Sequence, residues 1–171
     1  MALRSVLQAP GRPLGPMAVR STLPSHPAAK VREVLRGLPS ATGYTVSVKE
    51  LRYRTRPHLI AFTFWDHPEI LIQVPEPFRP FSEIVDLGTL GMPVVRFHNR
   101  REVIRFLYLH EFCHWWLYLT HGWGNAAEIL CDRYAYANFR RRGPVGPLPA
   151  TGASIASGVS PGCAAAARPK G

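Results

Sequence analysis

Residues 100–120 read RREVIRFLYLHEFCHWWLYLT, the most sustained apolar stretch of the chain. Apolar side chains fall on nearly every side of a 3.6-residue turn, which predicts a central, buried helix. Asn99 stands where an N-cap belongs, with Glu102 at the third helical position as in a capping box. Gly122 and Gly124 stop the helix. A buried helix should avoid ionisable groups unless each has a partner, because an unpaired one is costly to desolvate. This helix nevertheless carries His110, Glu111 and His114 in its middle.

The spacing indicates what the partner is. Histidines four apart on a helix stand one above the other on one face, so His110 and His114 can grip one metal ion. Glu111 follows His110 directly and lies beside the open coordination position. There it can take a proton from the attacking water and later hand it to the leaving amine. This is the logic of the His-Glu-x-x-His pattern, and zinc is the expected ion. A catalytic zinc usually takes a third protein ligand. His121, Glu128 and Asp132 are the downstream candidates. His121 lies about 10 Å further along the axis if the helix continues. Glu128 sits on a second helix, expected over 125–142, after a Gly-rich turn at 122–124 that reverses the chain. That helix can pack back antiparallel and bring its first turns beside His114. Asp132, four residues on, shares the face of Glu128 and is placed to accept the second N–H of a ligand histidine. The assignment is therefore Glu128 as third ligand and Asp132 as its supporting acceptor, with His121 as the alternative ligand.

Working outward, Val31, Val34, Leu35 and Leu38 give a helical stripe over 28–37, ended by Gly37 and Pro39. Residues 44–51 alternate as a half-buried strand. Residues 58–64 and 69–74 read as two more, joined in a hairpin by Trp65-Asp66-His67-Pro68. Residues 75–92 read as loop with at most one short helix, and 93–98 as a short edge strand. Strands 69–74 and 93–98 are the candidates for an edge to which a substrate strand could add. The organisation is a flexible arm over 1–27, an α+β domain over 28–142 and a disordered Pro/Gly/Ala-rich tail over 143–171.

Bulk properties narrow the class. The 171 residues are 46% hydrophobic, enough for a real core. The net charge is +10, and no acid precedes Glu33 or follows Asp132. Such ends can make weak nucleic-acid contacts, although solvated ends are the commoner reading and no reader motif appears. Arg52, Arg54 and Arg56 read as edge protection, with phosphate contact as a weak alternative. Three cysteines, none in CxxC spacing, argue against a disulfide framework and for a reducing, cytoplasmic setting. Cys113 and Cys131 are expected to be buried helix residues. No stretch is apolar enough for a membrane helix, and Pro10, Pro13 and Pro16 interrupt any secretory signal. Trp115, Trp116, Tyr118 and Trp123 beside the motif are expected mainly to pack the core.

His110-Glu-Phe-Cys-His114, followed by Glu128-Ile-Leu-Cys-Asp132-Arg-Tyr-Ala, resembles the HExxH…ExxxD arrangement of gluzincin metallopeptidases. It is most similar to those of the ImmA/IrrE type. The likeness covers about residues 100–140. It implies a minimal zincin-like α+β domain: a helix, a small mostly antiparallel sheet, the HExxH helix and a supporting helix. It further implies zinc ligands at His110, His114 and Glu128, Glu111 as general base, and metalloendopeptidase action on a specific protein or peptide. Many members have Gly where this chain has Cys113. The His-Glu-x-Cys-His stretch with a later His-Gly also resembles SprT-like proteases, which use a third histidine and act on DNA-bound proteins. A non-catalytic metal- or DNA-binding protein is the alternative from a different class.

Overall fold

The computed structural model describes residues 15–122 and 127–148. Its elements run β1 (Ala18–Ser21), α1 (Ala28–Leu35), β2 (Thr45–Arg52), β3 (Ile60–Phe64), β4 (Glu69–Glu76), β5 (Phe81–Ile84), β6 (Val94–Phe97), α2 (Arg100–His121) and α3 (Glu128–Asn138), with a 3-10 turn at Gly88–Leu90. This is an α+β arrangement. Among the described residues no helix is long and apolar enough to cross a membrane.

The larger sheet has the order β1-β2-β4-β3. β1 and β4 run parallel to β2, while β3 returns antiparallel to β4 as the expected hairpin, Phe64 opposite Glu69. The sheet is thus mixed rather than mostly antiparallel. The reason is connectivity: α1 links β1 to β2, a helical crossover suited to parallel neighbours, and β3 takes the outer place beyond β4. Val46 and Val48 lie opposite Ile70 and Ile72 across β2 and β4, and all four are fully buried. Above them α2 is buried on most of its circumference, as its sequence predicts. Val103, Ile104, Tyr108, Leu109 and Leu117 have essentially no exposed surface. A side chain of this size contributes roughly 1.5–3 kcal/mol when fully buried, so α2 anchors the core.

Three further expectations are corrected. Residues 18–21 belong to the sheet and not to a flexible arm. Met17 and Val19 pack against the core, and Tyr108 Oη lies 3.1 Å from Met17 Sδ. A four-residue parallel edge strand has no hairpin partner nearby in sequence and so leaves little local signal. The stretch 75–92, read as loop, contains β5, which pairs antiparallel with β6 in a second small sheet. α3 ends at Asn138, before Arg140–Arg142. The remaining calls on residues 1–14, 123–126 and 149–171, including Gly124, Trp123 and Cys163, lie outside the described residues.

The ends of α2 are capped as the sequence suggests. Asn99 Oδ1 accepts from the Glu102 backbone N–H at 3.0 Å, and Gly122 closes the helix at φ 70°. Glu102 reaches back to the N–H of His98 rather than to that of Asn99 itself. Arg105 is buried one turn inside. It donates to the carbonyls of Phe139 at 2.8 Å, Val34 at 3.0 Å and Arg141 at 3.0 Å, tying the C-terminal ends of α1 and α3 to α2. The carbonyls of Val34 and Phe139 are among those a helix end leaves without intrahelical partners, and Arg141 follows α3.

Candidate metal centre

α3 packs antiparallel along α2, so contacts climb one helix while they descend the other. Phe106 meets Phe139, His110 meets Asp132 and His114 meets Glu128. Cys113 and Cys131 are fully buried free thiols in the helix pair. A hydrogen bond to Cys113, together with burial, pushes the Cys131 thiol pKa up, so it stays protonated and inert.

Three potential ligand groups converge. His110 Nε2 and His114 Nε2 are 3.1 Å apart. Glu128 places Oε2 3.2 Å from His110 Nε2 and Oε1 3.2 Å from His114 Nε2. A tetrahedral zinc ion with ligands at about 2.0–2.1 Å has neighbouring ligand atoms about 3.3 Å apart. The two histidine nitrogens, and each of them with its nearer Glu128 oxygen, are separated by about that edge, and the donor set of two imidazoles and one carboxylate suits zinc. His121 is not part of the group. It ends α2 on the exposed side, its ring 5.7 Å from that of Trp116.

His110 Nδ1 lies 2.8 Å from Asp132 Oδ1, the geometry that fixes a ring and points its other nitrogen at an ion. Burial works against a charge on His110. The hydrogen bonds to Asp132 and Glu128 outweigh it, and the pKa is pushed up to about 10. Glu128 is held well below the usual carboxylate range by its hydrogen bonds to His110 and His114. The spot thus stabilises positive charge.

Glu111 is buried, and that desolvation raises its pKa. Its Oε2 accepts a 2.7 Å hydrogen bond from the Thr63 hydroxyl. Thr63 touches this site's machinery and has no counterpart in the sequence reading. It lies 48 residues from Glu111 on another element, and no local pattern marks it.

The histidines, Glu111 and Glu128 line one wall of a cleft of about 620 Å³, and Ala61 to Asp66 line the other. β3 is the outer strand of its sheet, and it is this strand that borders the cleft. The candidate edge 69–74 is instead internal, between β2 and β3, and 93–98 belongs to the second sheet. The apolar run 69–74 is rich in β-branched residues because it is buried as a central strand. Trp115 packs among Tyr44 and Phe112 in the core as expected, whereas Tyr118 lies against Trp65 of the cleft at 4.2 Å between centroids. No protein-family model matches the chain, and neither a curated protein nor a solved structure matches it significantly.

Proposed function

We propose that the protein is a zinc metallopeptidase of zincin-like architecture. In this reading His110, His114 and Glu128 hold the ion and Glu111 acts as general base. The observation that carries it is the convergence of these three ligand atoms beside a buried carboxylate in an open cleft. The carboxylate third member favours the gluzincin-like reading over one with three histidines. Zinc, when bound, supplies a Lewis acid that polarises the scissile carbonyl and makes water a better nucleophile. Asp132 holds the His110 ring in its tautomer and orientation. Glu111 takes the proton of the attacking water and delivers it to the leaving nitrogen, and its raised pKa brings it closer to neutrality, where proton exchange is most efficient. The Thr63 hydroxyl holds one carboxylate oxygen of Glu111 and leaves the other for the water. The free edge of β3 accepts an extended peptide as an added strand, presenting its carbonyls along the cleft.

The test combines metal analysis with a proteome-derived peptide library read by mass spectrometry. The wild type is expected to bind one zinc per chain and to generate new peptide termini. Glu111→Gln is expected to keep the zinc and to lose cleavage by roughly 10²–10⁴-fold. A chain that does not take up stoichiometric zinc, or equal cleavage by Glu111→Gln, overturns the proposal.

A further inference from the structure

The opposite end of α2 carries a second site of different chemistry. Arg101 lies nine residues before His110, about 14 Å along the helix axis. Around it the fold assembles arginines from three separate segments: Arg36 after α1, Arg101 and Arg105 on α2, and Arg140, Arg141 and Arg142 after α3. They line two adjoining hollows of about 620 and 380 Å³, which share Arg101, Arg105, Arg141 and Arg142. Two of the six arginines face acids: Arg140 bonds Glu102, and Arg36 lies 4.0 Å from Glu33. The four shared ones have no carboxylate within salt-bridge distance among the described residues. Arg105 is buried and spends its donors on backbone carbonyls, which fixes the floor of the hollows. Arg101 and Arg142 are exposed and donate no hydrogen bond to a described residue.

We propose that this arginine-lined surface binds the phosphodiester backbone of double-stranded nucleic acid. Guanidinium forks match phosphate oxygens, and six arginines against the single lining carboxylate of Glu102, spread over two hollows, suit a polyanion better than a single small anion. No exposed aromatic ring lines either hollow. Phe139, the ring present, is buried beneath Arg140, so nothing offers a stacking platform for unpaired bases. Asn99, the one side-chain amide there, has its Oδ1 taken up as the α2 N-cap, and the guanidinium groups that remain suit contacts to the phosphate backbone. The exposed large apolar side chains, including Phe62, Ile84, Leu90 and Met92, line neither hollow. The apolar anchor a membrane surface would use is therefore missing from the patch.

The experiment is fluorescence anisotropy of a labelled 20-base-pair duplex of about random sequence with the full chain, titrated between about 50 and 200 mM salt. Each phosphate contact adds about −0.9 to the slope of log K against log salt, so Arg101→Gln/Arg142→Gln is expected to flatten it by about 1.8 and to weaken low-salt binding by about tenfold or more. The charge-matched control Arg54→Gln/Arg56→Gln, on the exposed linker between β2 and β3, is expected to change binding less than about twofold. Arg36→Gln/Arg142→Gln serves as a second patch variant, and the far-UV circular dichroism and thermal melt of all variants report that each is folded. Equal losses in patch and control variants overturn the proposal, since net charge alone would then explain binding. So does a duplex affinity below that for poly-glutamate or for phosphatidylserine vesicles. Because zinc content and peptide cleavage are measured separately, the surface and the peptidase reading fail independently.

Discussion

Helix α2 places charged groups inside the fold at two stations, and the two are solved in opposite ways. At His110 and His114, α3 answers with the carboxylates of Glu128 and Asp132, so acid and base alternate around one point. At Arg105, the segment after α3 answers with backbone carbonyls, and Arg101, Arg141 and Arg142 around it have no carboxylate within salt-bridge distance among the described residues. The first arrangement concentrates negative charge on nitrogen donors and makes a place for a cation. The second gives Arg105 three carbonyl partners without cancelling its charge and leaves a positive surface. One helix pair therefore has one place suited to a cation and another suited to an anion, and the difference lies in whether the partner is a side-chain carboxylate or a peptide oxygen.

Breaking the first station tests the contrast most strongly. A zinc site worth about 10–16 kcal/mol divides into roughly 3–5 kcal/mol for each of three ligands, so Glu128→Ala should lower zinc affinity by about 10²–10⁴-fold. His121→Ala, measured by the same chelator competition, should leave it within about twofold. A reversed outcome would make His121 the ligand. Asp132→Ala removes the acceptor behind His110 and is expected to cost about 10–100-fold in zinc affinity. An unchanged affinity would show that the 2.8 Å contact does not orient the ring.

Smaller effects sharpen the picture. Thr63→Val keeps the shape of its side chain but removes the bond to Glu111. Turnover of the best-cut library peptide is expected to fall about tenfold, the equivalent of about 1.4 kcal/mol, with zinc affinity unchanged. Thr63→Ser should recover most of it, and a loss of zinc together with turnover would point to general damage. Near the basic end, Arg100 carries a carboxylate, as Arg140 does with Glu102. It grips Glu76 through Nε–Oε1 at 2.5 Å and Nη2–Oε2 at 2.7 Å. The Arg100 guanidinium holds the Glu76 pKa below its ordinary 4.5. A depressed carboxylate contributes stability that is present above its unfolded pKa and is lost as pH falls through the folded one. Glu76→Gln should therefore cost about 1–2 kcal/mol in urea unfolding at pH 7. The gap should persist down to about pH 4.5 and close below it. A gap independent of pH would assign the effect to packing instead of charge.

Much of the site was legible because it is helical. His110 to His114 is one turn, and the periodicity that predicts the helix also predicts the shared face. The step from His114 to Glu128 was legible because a glycine-bounded reversal leaves few ways for the next helix to run. Thr63 was not legible, since its role exists only where β3 passes Glu111. The cleft-side strand was misplaced for a related reason. A central strand such as 69–74 advertises itself by apolar content, while the edge strand beside the cleft is the less buried and less regular one. The arginine surface was half visible. Arg140–Arg142 are a run in the sequence, but their gathering with Arg36 and Arg101 depends on contacts across more than thirty residues, such as those of Arg105.

By itself the sequence determined the buried helix, its caps, the face shared by His110 and His114, and the return of Glu128 and Asp132 along a second helix. Each is a consequence of local periodicity or of a short connection, where backbone geometry leaves few alternatives. Only the tertiary structure decided which strand borders the cleft, which hydroxyl holds Glu111, and that scattered arginines form one surface. Those are contacts between elements far apart in the chain, and their register is set by how side chains fill the space between sheet and helices rather than by any repeat within a segment.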